Sequence, residues 1–363
     1  MLCTPWVIDE CEGADAANVP EFVSYPRMIG AMEMLERIKR NVGVYKLRHG
    51  EDAWKRAVQS VARHTELAKT VERPISRAYF KLIEIARTTA IVAPRTSLHL
   101  CEAPGGFAQA VLSEFPDCAR VFVTSLSNAK RTPTASVPCF SNYLLRQAKV
   151  ALLDAEGGDI LLQNVRDAVV NAVTDVDLIT ADGGIDMDSE PELTEAACAA
   201  LCACQTEVAL RCQAINGTFV LKLFTLEQPV TRELIALLTR NYATVSLLKP
   251  NTSHPVNDER YLVCQGFRGL QAPLPTLGDC AVSGYLSRLV DGLNPAWEQS
   301  VNTVIVDMAM QQREALLRAL SFSCTSPKEA RTTPKDRSTT HRRGEFAPDR
   351  SSRRPRKYSR SSR

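Results

Sequence analysis

The segment Ser97–Phe107, SLHLCEAPGGF, runs an apolar stretch straight into Pro104 and two glycines, and a helical pattern follows from Ala108 to Phe115. A strand that opens through a glycine turn into a helix is the building unit of a doubly wound α/β sheet, whose ligands lie beyond the carboxyl ends of the strands. The chain continues in that alternation. Val121–Thr124, Asp175–Thr180, Gly217–Leu221, Val245–Leu248 and Tyr261–Cys264 read as further strands, and Glu195–Cys212 and Thr231–Asn241 as helices. Strands alternating with helices predict a mostly parallel sheet covered on both faces.

The flanks are helical in period. Between Pro26 and Lys69 the residues Met28, Ile29, Met32, Leu35 and Ile38, then Trp54, Ala57, Val58 and Val61, recur at the spacing of one or two amphipathic helices. A further helix is predicted over Ile75–Arg87, and another over Trp297–Leu320, where Val301, Ile305, Met308 and Leu317 share a face. Residues 1–26 carry no period and read as loop. The predicted organisation is an N-terminal loop and helical extension (1–73), a central α/β domain (74–270), a C-terminal helical extension (271–325) and a tail (326–363).

Charge divides along the same boundary. The tail from Ser326 holds 13 Lys or Arg against 4 Asp or Glu, a net of +9, so the remainder carries −6 of the total of +3. A Ser/Arg/Pro-rich basic tail is expected to be disordered, either simply solvated or acting as a tether for a polyanion. The N-terminus MLCTPWVIDE has neither a basic region nor an apolar run of secretory type, and no stretch approaches a membrane span. The 12 cysteines therefore read as reduced thiols of a cytosolic or nuclear protein. Cys198, Cys202, Cys204 and Cys212 cluster, but in an Ala-rich helical run without paired CxxC. They read as small buried hydrophobes rather than zinc ligands. No metal site is predicted.

The glycine turn is not GxGxxG, so the nicotinamide and flavin fingerprint is absent. Gly105 and Gly106 allow close backbone approach to a ligand, the next helix offers its N-terminal amides, and Glu102 beside the turn suits a ligand with a positive amino group.

A strand followed by EAPGGF resembles the cofactor loop of the FtsJ-like ribose 2′-O-methyltransferases, and SLHLCEAPGGF is most similar to their cap-specific branch. The resemblance implies a Rossmann-like methyltransferase fold with helical extensions at both ends. It also implies S-adenosyl-L-methionine as cofactor, held by Glu102, Ala103, Pro104, Gly105, Gly106, Phe107, Ser125, Asp159 and Asp182. Gly158-Asp159-Ile160 matches the element whose carboxylate accepts from the adenine amino group. Ser125 departs from the pattern, standing where relatives often place a ribose-binding acid.

Four more segments match in order across about Pro74 to Phe267. SRAYFKL carries Lys81, TADGG carries Asp182, NGTFVLKLF carries Lys222, and KPNTSHPVNDERYLVC carries Glu259 together with Ser253, Asn257 and Tyr261. By the resemblance, Lys81, Asp182, Lys222 and Glu259 are the catalytic residues. Taken singly, Lys81 reads as a solvated helix lysine, Asp182 as a turn residue and Glu259 as a surface charge; Lys222 interrupts an apolar strand, where lysine is uncommon. The chemistry accounts for the set. A ribose hydroxyl is a poor nucleophile, and lysine can take its proton only if its own pKa falls towards neutrality. Burial and the cation of Lys81 are expected to push Lys222 down. In the alternative account Lys222 stays charged and steers the hydroxyl.

The implied substrate is capped RNA, methylated on a ribose near its 5′ end. A capping enzyme or the RNA polymerase machinery is an implied partner, no membrane is involved, and the location is the nucleus, or the cytoplasm for a viral protein. A ribosomal or transfer RNA 2′-O-methyltransferase and a catalytically inactive RNA-binding subunit are the competing readings. Trp6, Tyr25, Tyr45, Trp54 and Trp297 are candidates to grip a methylated guanine, although core packing is the commoner fate of each. Arg73, Arg77, Lys130, Arg131 and the tail are candidates for phosphates, and the polar, basic segment Ser125–Leu144 has the character of an RNA-facing loop.

Overall fold

The computed structural model describes residues 4–8, 25–61, 73–126, 139–185, 194–226, 228–271, 274 and 295–325. These fall in one compact unit, Met1–Thr325; the tail, with its expected disorder and tethering role, lies outside the described residues. The elements in chain order are β1 (Trp6–Ile8), α1 (Tyr25–His49), α2 (Glu51–Val61), α3 (Ala78–Thr88), β2 (Thr96–Leu100), α4 (Gly106–Glu114), β3 (Arg120–Thr124), α5 (Asn142–Leu145), β4 (Val150–Leu152), α6 (Gln163–Ala172), β5 (Val176–Ala181), α7 (Thr194–Cys212), β6 (Gln213–Leu223), α8 (Pro229–Asn241), β7 (Tyr242–Leu248), β8 (Arg260–Phe267) and α9 (Pro295–Thr325).

One sheet runs β1-β7-β8-β6-β5-β2-β3-β4. From β4 to β6 every pairing is parallel, and β8 then enters antiparallel between β6 and β7. The inner strands are apolar on both faces because helices cover both; Leu98, Ile179 and Phe219 are buried on one face and Leu178, Val220 and Val263 on the other. The order of strand addition reverses between the parallel strands β2 and β5, so their carboxyl ends leave a crevice where a ligand can enter.

The structure corrects the sequence reading at several points. Trp6–Ile8, read as loop, is an edge strand antiparallel to β7, with Ile8 buried. The strand β4 and the helices α5 and α6 stand where no element was predicted. The two flanking extensions form a layer of their own. Leu35 of α1, Trp54 and Ala57 of α2, and Ala309, Leu316 and Ala319 of α9 share one apolar cluster, against which Val256 of the β7–β8 loop packs. Among the described residues no helix is long and apolar enough to cross a membrane.

Candidate active site

The glycine turn folds the crevice at the end of β2. Cys101 and Gly105 take left-handed backbone (φ 55° and 114°), the Glu102 N–H donates to the Thr124 carbonyl at 3.1 Å, and the Asp182 N–H donates to the Leu100 carbonyl at 3.3 Å. The ends of β2, β3 and β5 are thereby laced together. Glu102, whose place beside the turn suited a ligand amino group, turns its carboxyl inward. It is 4% exposed, and its Oε1 accepts from the Ala108 N–H at 2.9 Å, closing the open first turn of α4. Burial pushes its carboxyl up to about 8 despite that bond. The Phe107 ring is likewise fully buried, against Tyr261. Glu102 and Phe107 therefore offer a ligand only their main chain, whereas Ala103, Pro104 and Gly105 form the rim of the turn.

The loops after β3 and β4 meet at one point. Gly158 has φ 69°, and a Cβ there would lie 2.0 Å from the Ser125 carbonyl oxygen. Only glycine permits this approach, which sets Ser125 beside Asp159. Asp159 accepts from the Leu161 N–H at 3.1 Å, and the buried Thr124 hydroxyl, one residue before Ser125, has no partner among the described residues. A carboxylate and a serine at adjoining strand ends suit a nucleoside with an amino group and hydroxyls, as an adenosyl ligand has.

All four predicted catalytic side chains meet at the ends of β5, β6 and β8. In the sheet register Lys222 faces Tyr261, and Ala181 faces Leu221, so Asp182 leaves the sheet beside Lys222. Lys222 Nζ donates to the Asp182 carbonyl at 2.6 Å and stands 3.3 Å from its Oδ1. Tyr261 Oη donates to the same Oδ1 at 2.9 Å. Lys81, reaching in from α3, pairs with Glu259 Oε1 at 2.7 Å and lies 3.5 Å from Tyr261 Oη. Ser253 Oγ donates to Glu259 Oε1 at 2.8 Å. The four charged side chains are each 13–18% exposed, dry enough for their fields to act on one another but open on one side.

One electrostatic expectation is overturned. Burial does pull Lys222 down, but Asp182 and Glu259 together outweigh it, and its pKa stands above the ordinary 10.5. Burial would lift Glu259, yet Lys81, Lys222 and Lys249 bring it down to about 2. Burial next to Asp182 and Glu259 raises the Tyr261 hydroxyl well above its usual range. The resting centre is thus ammonium, carboxylate and neutral phenol.

Lys249 sits beneath this centre, its pKa driven well below the ordinary value by burial and the neighbouring Arg260. Its Nζ donates to the carbonyls of Asn257 (3.0 Å) and Glu259 (2.8 Å) and to Asn257 Oδ1. The loop is also stapled to α3. Glu84, 1% exposed, accepts from both the main chain and the side chains of Asn251 and Thr252, and Arg77 Nη1 meets His254 Nε2 at 2.5 Å. The helix bearing Lys81 and the loop bearing Glu259 are therefore one unit.

Over residues 74–267, just over half of the chain, the sequence matches the FtsJ-like methyltransferase family. The chain belongs to that family. Cap-specific mRNA (nucleoside-2′-O-)-methyltransferase 1 of Drosophila melanogaster is 30% identical over 183 residues, covering 48% of this chain and 23% of its own. Cap-specific mRNA (nucleoside-2′-O-)-methyltransferase 2 of Danio rerio is 27% identical over 292 residues, 70% of this chain and 37% of its own. The cap-specific methyltransferase 1 of Trypanosoma brucei brucei is 32% identical over 186 residues, 48% and 47%. The chain thus spans less than half the length of each of these relatives.

Beside the tetrad of this FtsJ-like domain lies a cavity of about 1050 Å³. Lys222 and Glu259 line it on the sheet side, and Lys39, Arg40 and Lys46 of α1 with Trp54 of α2 line it on the other. Of the aromatic candidates, Trp297 is 1% exposed and belongs to the core; Trp54 is mostly buried against Tyr45 but presents an edge to the cavity. Trp6 packs on the edge of the sheet core. The Tyr25 side chain and Lys130 and Arg131, with most of the expected RNA-facing loop, lie outside the described residues. The cysteines of α7 are buried, Cys198 Sγ accepting from the Ile185 N–H at 3.1 Å, and among the described residues no three His, Cys, Asp or Glu side chains gather to hold a metal. Tyr261 and Lys249 were given no role from sequence; both lie in the KPNTSHPVNDERY segment, whose density of polar residues next to a buried strand was the available signal.

Proposed function

We propose that this chain transfers a methyl group from S-adenosyl-L-methionine to a ribose 2′-hydroxyl near the 5′ end of capped mRNA. The observation that carries the reading is the convergence of Lys81, Asp182, Lys222 and Glu259 on one point beside Tyr261, next to the glycine turn of an FtsJ-like domain. The names of its relatives supply the cap.

Bound at the ends of β2 and β3, the cofactor supplies an electrophilic methyl group. Gly105, Ser125 and Asp159 hold its nucleoside, and Asp182 borders both this pocket and the tetrad. Lys222, an ammonium in the resting site, donates to the 2′-oxygen and aims a lone pair along the transfer axis. Asp182 and Glu259 fix the two lysines, and as the new oxygen–carbon bond forms and the methyl–sulfur bond breaks, the hydroxyl proton passes to the Asp182 carboxylate and from it to solvent. Alignment supplies most of the acceleration in this scheme. Arg40 and Lys46 suit the phosphates of an RNA lying in the cavity. The boundaries 1–73, 74–270 and 271–325 then separate a catalytic core from helices that complete its substrate wall.

Alkaline hydrolysis of the product RNA tests the reaction type. A 2′-O-methyl group removes the nucleophile that cleaves the adjoining phosphodiester, so the label should remain in a 5′ cap fragment one nucleotide longer than the unmethylated RNA yields. Label in a cap fragment no longer than the unmethylated RNA yields, or in a single nucleotide, would place the methyl on a base and overturn the reading.

A further inference from the structure

We infer that Gln312, on the C-terminal helix and outside the family-matched region, is a positioning residue for Glu259. The inference rests on the reading of Glu259 as part of the catalytic centre.

Gln312 is 3% exposed and reaches from α9 across the segment that carries Glu259. Its Nε2 donates to the Val256 carbonyl at 3.0 Å and to Asp258 Oδ1 at 2.7 Å, and its Oε1 accepts from Arg260 Nη2 at 3.3 Å. One side chain thus brackets Glu259 on both sides in sequence. Its two partners pass the constraint on. Arg260 Nη1 donates to the Glu259 carbonyl at 3.0 Å, and Asp258 is held from the opposite side by Lys39 of α1 at 3.3 Å. Val256 packs into the apolar cluster that α1, α2 and α9 share. Glu259 pairs in turn with Lys81 and bears electrostatically on Lys222. A fully used buried amide spanning two elements fixes geometry because each lost bond strands a buried partner. Gln312 also borders the cavity, but its amide is engaged by Val256, Asp258 and Arg260, so it acts through Glu259.

The test is a kinetic cycle on the full chain with Gln312→Met, which keeps the volume and removes every hydrogen bond, and with Glu259→Gln. The Gln312→Met variant should remain folded at the assay temperature, as a thermal melt will show. Its kcat for capped RNA should fall about tenfold, the scale expected of a sub-ångström to 1 Å misplacement, with the KM for S-adenosyl-L-methionine within about twofold. In a Glu259→Gln background the same change should cost less than about twofold, because the residue it positions is already disabled. Equal losses in both backgrounds, an unchanged kcat in the single variant, or a matching rise in the cofactor KM would overturn the inference while leaving the function standing. Wild-type protein that transfers no methyl to capped RNA would defeat the reading beneath it, and the inference with it.

Discussion

Lys222 and Tyr261 face each other across the β6–β8 ladder, and both reach Asp182 at the end of the neighbouring strand β5. The antiparallel entry of β8 between β6 and β7 makes that pairing possible, since it returns the chain to the carboxyl end of β6 directly after the loop that carries Glu259. Tyr261 is then a neutral group in contact with both the Asp182 carboxylate and the Lys81 ammonium nitrogen.

Tyr261→Phe should keep the fold, because the ring packs against Phe107, while Asp182 loses its phenol donor. A loss of about 10- to 100-fold in kcat is expected, in line with one hydrogen bond to a charged group, with the melting temperature changed little. Single-turnover methyl transfer beside a thermal melt checks both. A variant as active as wild type would show that the phenol does not align Asp182.

The raised pKa of Lys222 sets the pH dependence. If its ammonium is the working form, kcat holds level through neutral pH and declines only above the ordinary lysine value of 10.5. A kcat that climbs with unit slope from neutrality upward would instead mark neutral Lys222 as the base. The profile must be taken at saturating RNA, so that substrate binding does not enter.

Acid stability should report Glu259. Its folded pKa of about 2 lies below the ordinary 4.5, so its contribution to stability is fully present above 4.5 and is lost as the pH falls towards 2. Denaturant melts of wild type and Glu259→Gln should therefore converge over that window. Parallel curves throughout would mean that the ion pair with Lys81 makes no pH-dependent contribution.

Much of this was legible in the sequence because it depends on local pattern. The β2–α4 turn announces itself by an apolar run ending in Pro-Gly-Gly, and Lys222 by breaking an apolar strand. What was not legible depends on partners distant in sequence. Trp6–Ile8 is too short to show a period and forms a strand only because β7 offers an edge. Glu102 sits beside the glycine turn in sequence, yet its carboxyl turns inward to an amide six residues on. The sign of the Lys222 shift required weighing burial against two carboxylates, one of them 37 residues away. Gln312 reads as an ordinary polar residue of an amphipathic helix, and only the packing of α9 on the β7–β8 loop gives it a task.

Gly158→Ala probes the cofactor pocket without touching the tetrad. Its Cβ would drive the loop away from Ser125, so the variant should bind S-adenosyl-L-methionine at least about tenfold more weakly. Calorimetric titration of the folded variant measures this directly, and unchanged affinity would remove Ser125 and Asp159 from the pocket.

The most direct measurement is methyl transfer from labelled S-adenosyl-L-methionine to three RNAs: uncapped, capped without ribose methylation, and capped with the first ribose already methylated. Wild type and Lys222→Ala are run side by side. The account predicts transfer to capped RNA only, lost in the variant, with the preferred capped substrate naming the nucleotide. Equal transfer to uncapped RNA, or none to any from a folded protein that still binds RNA, would contradict it.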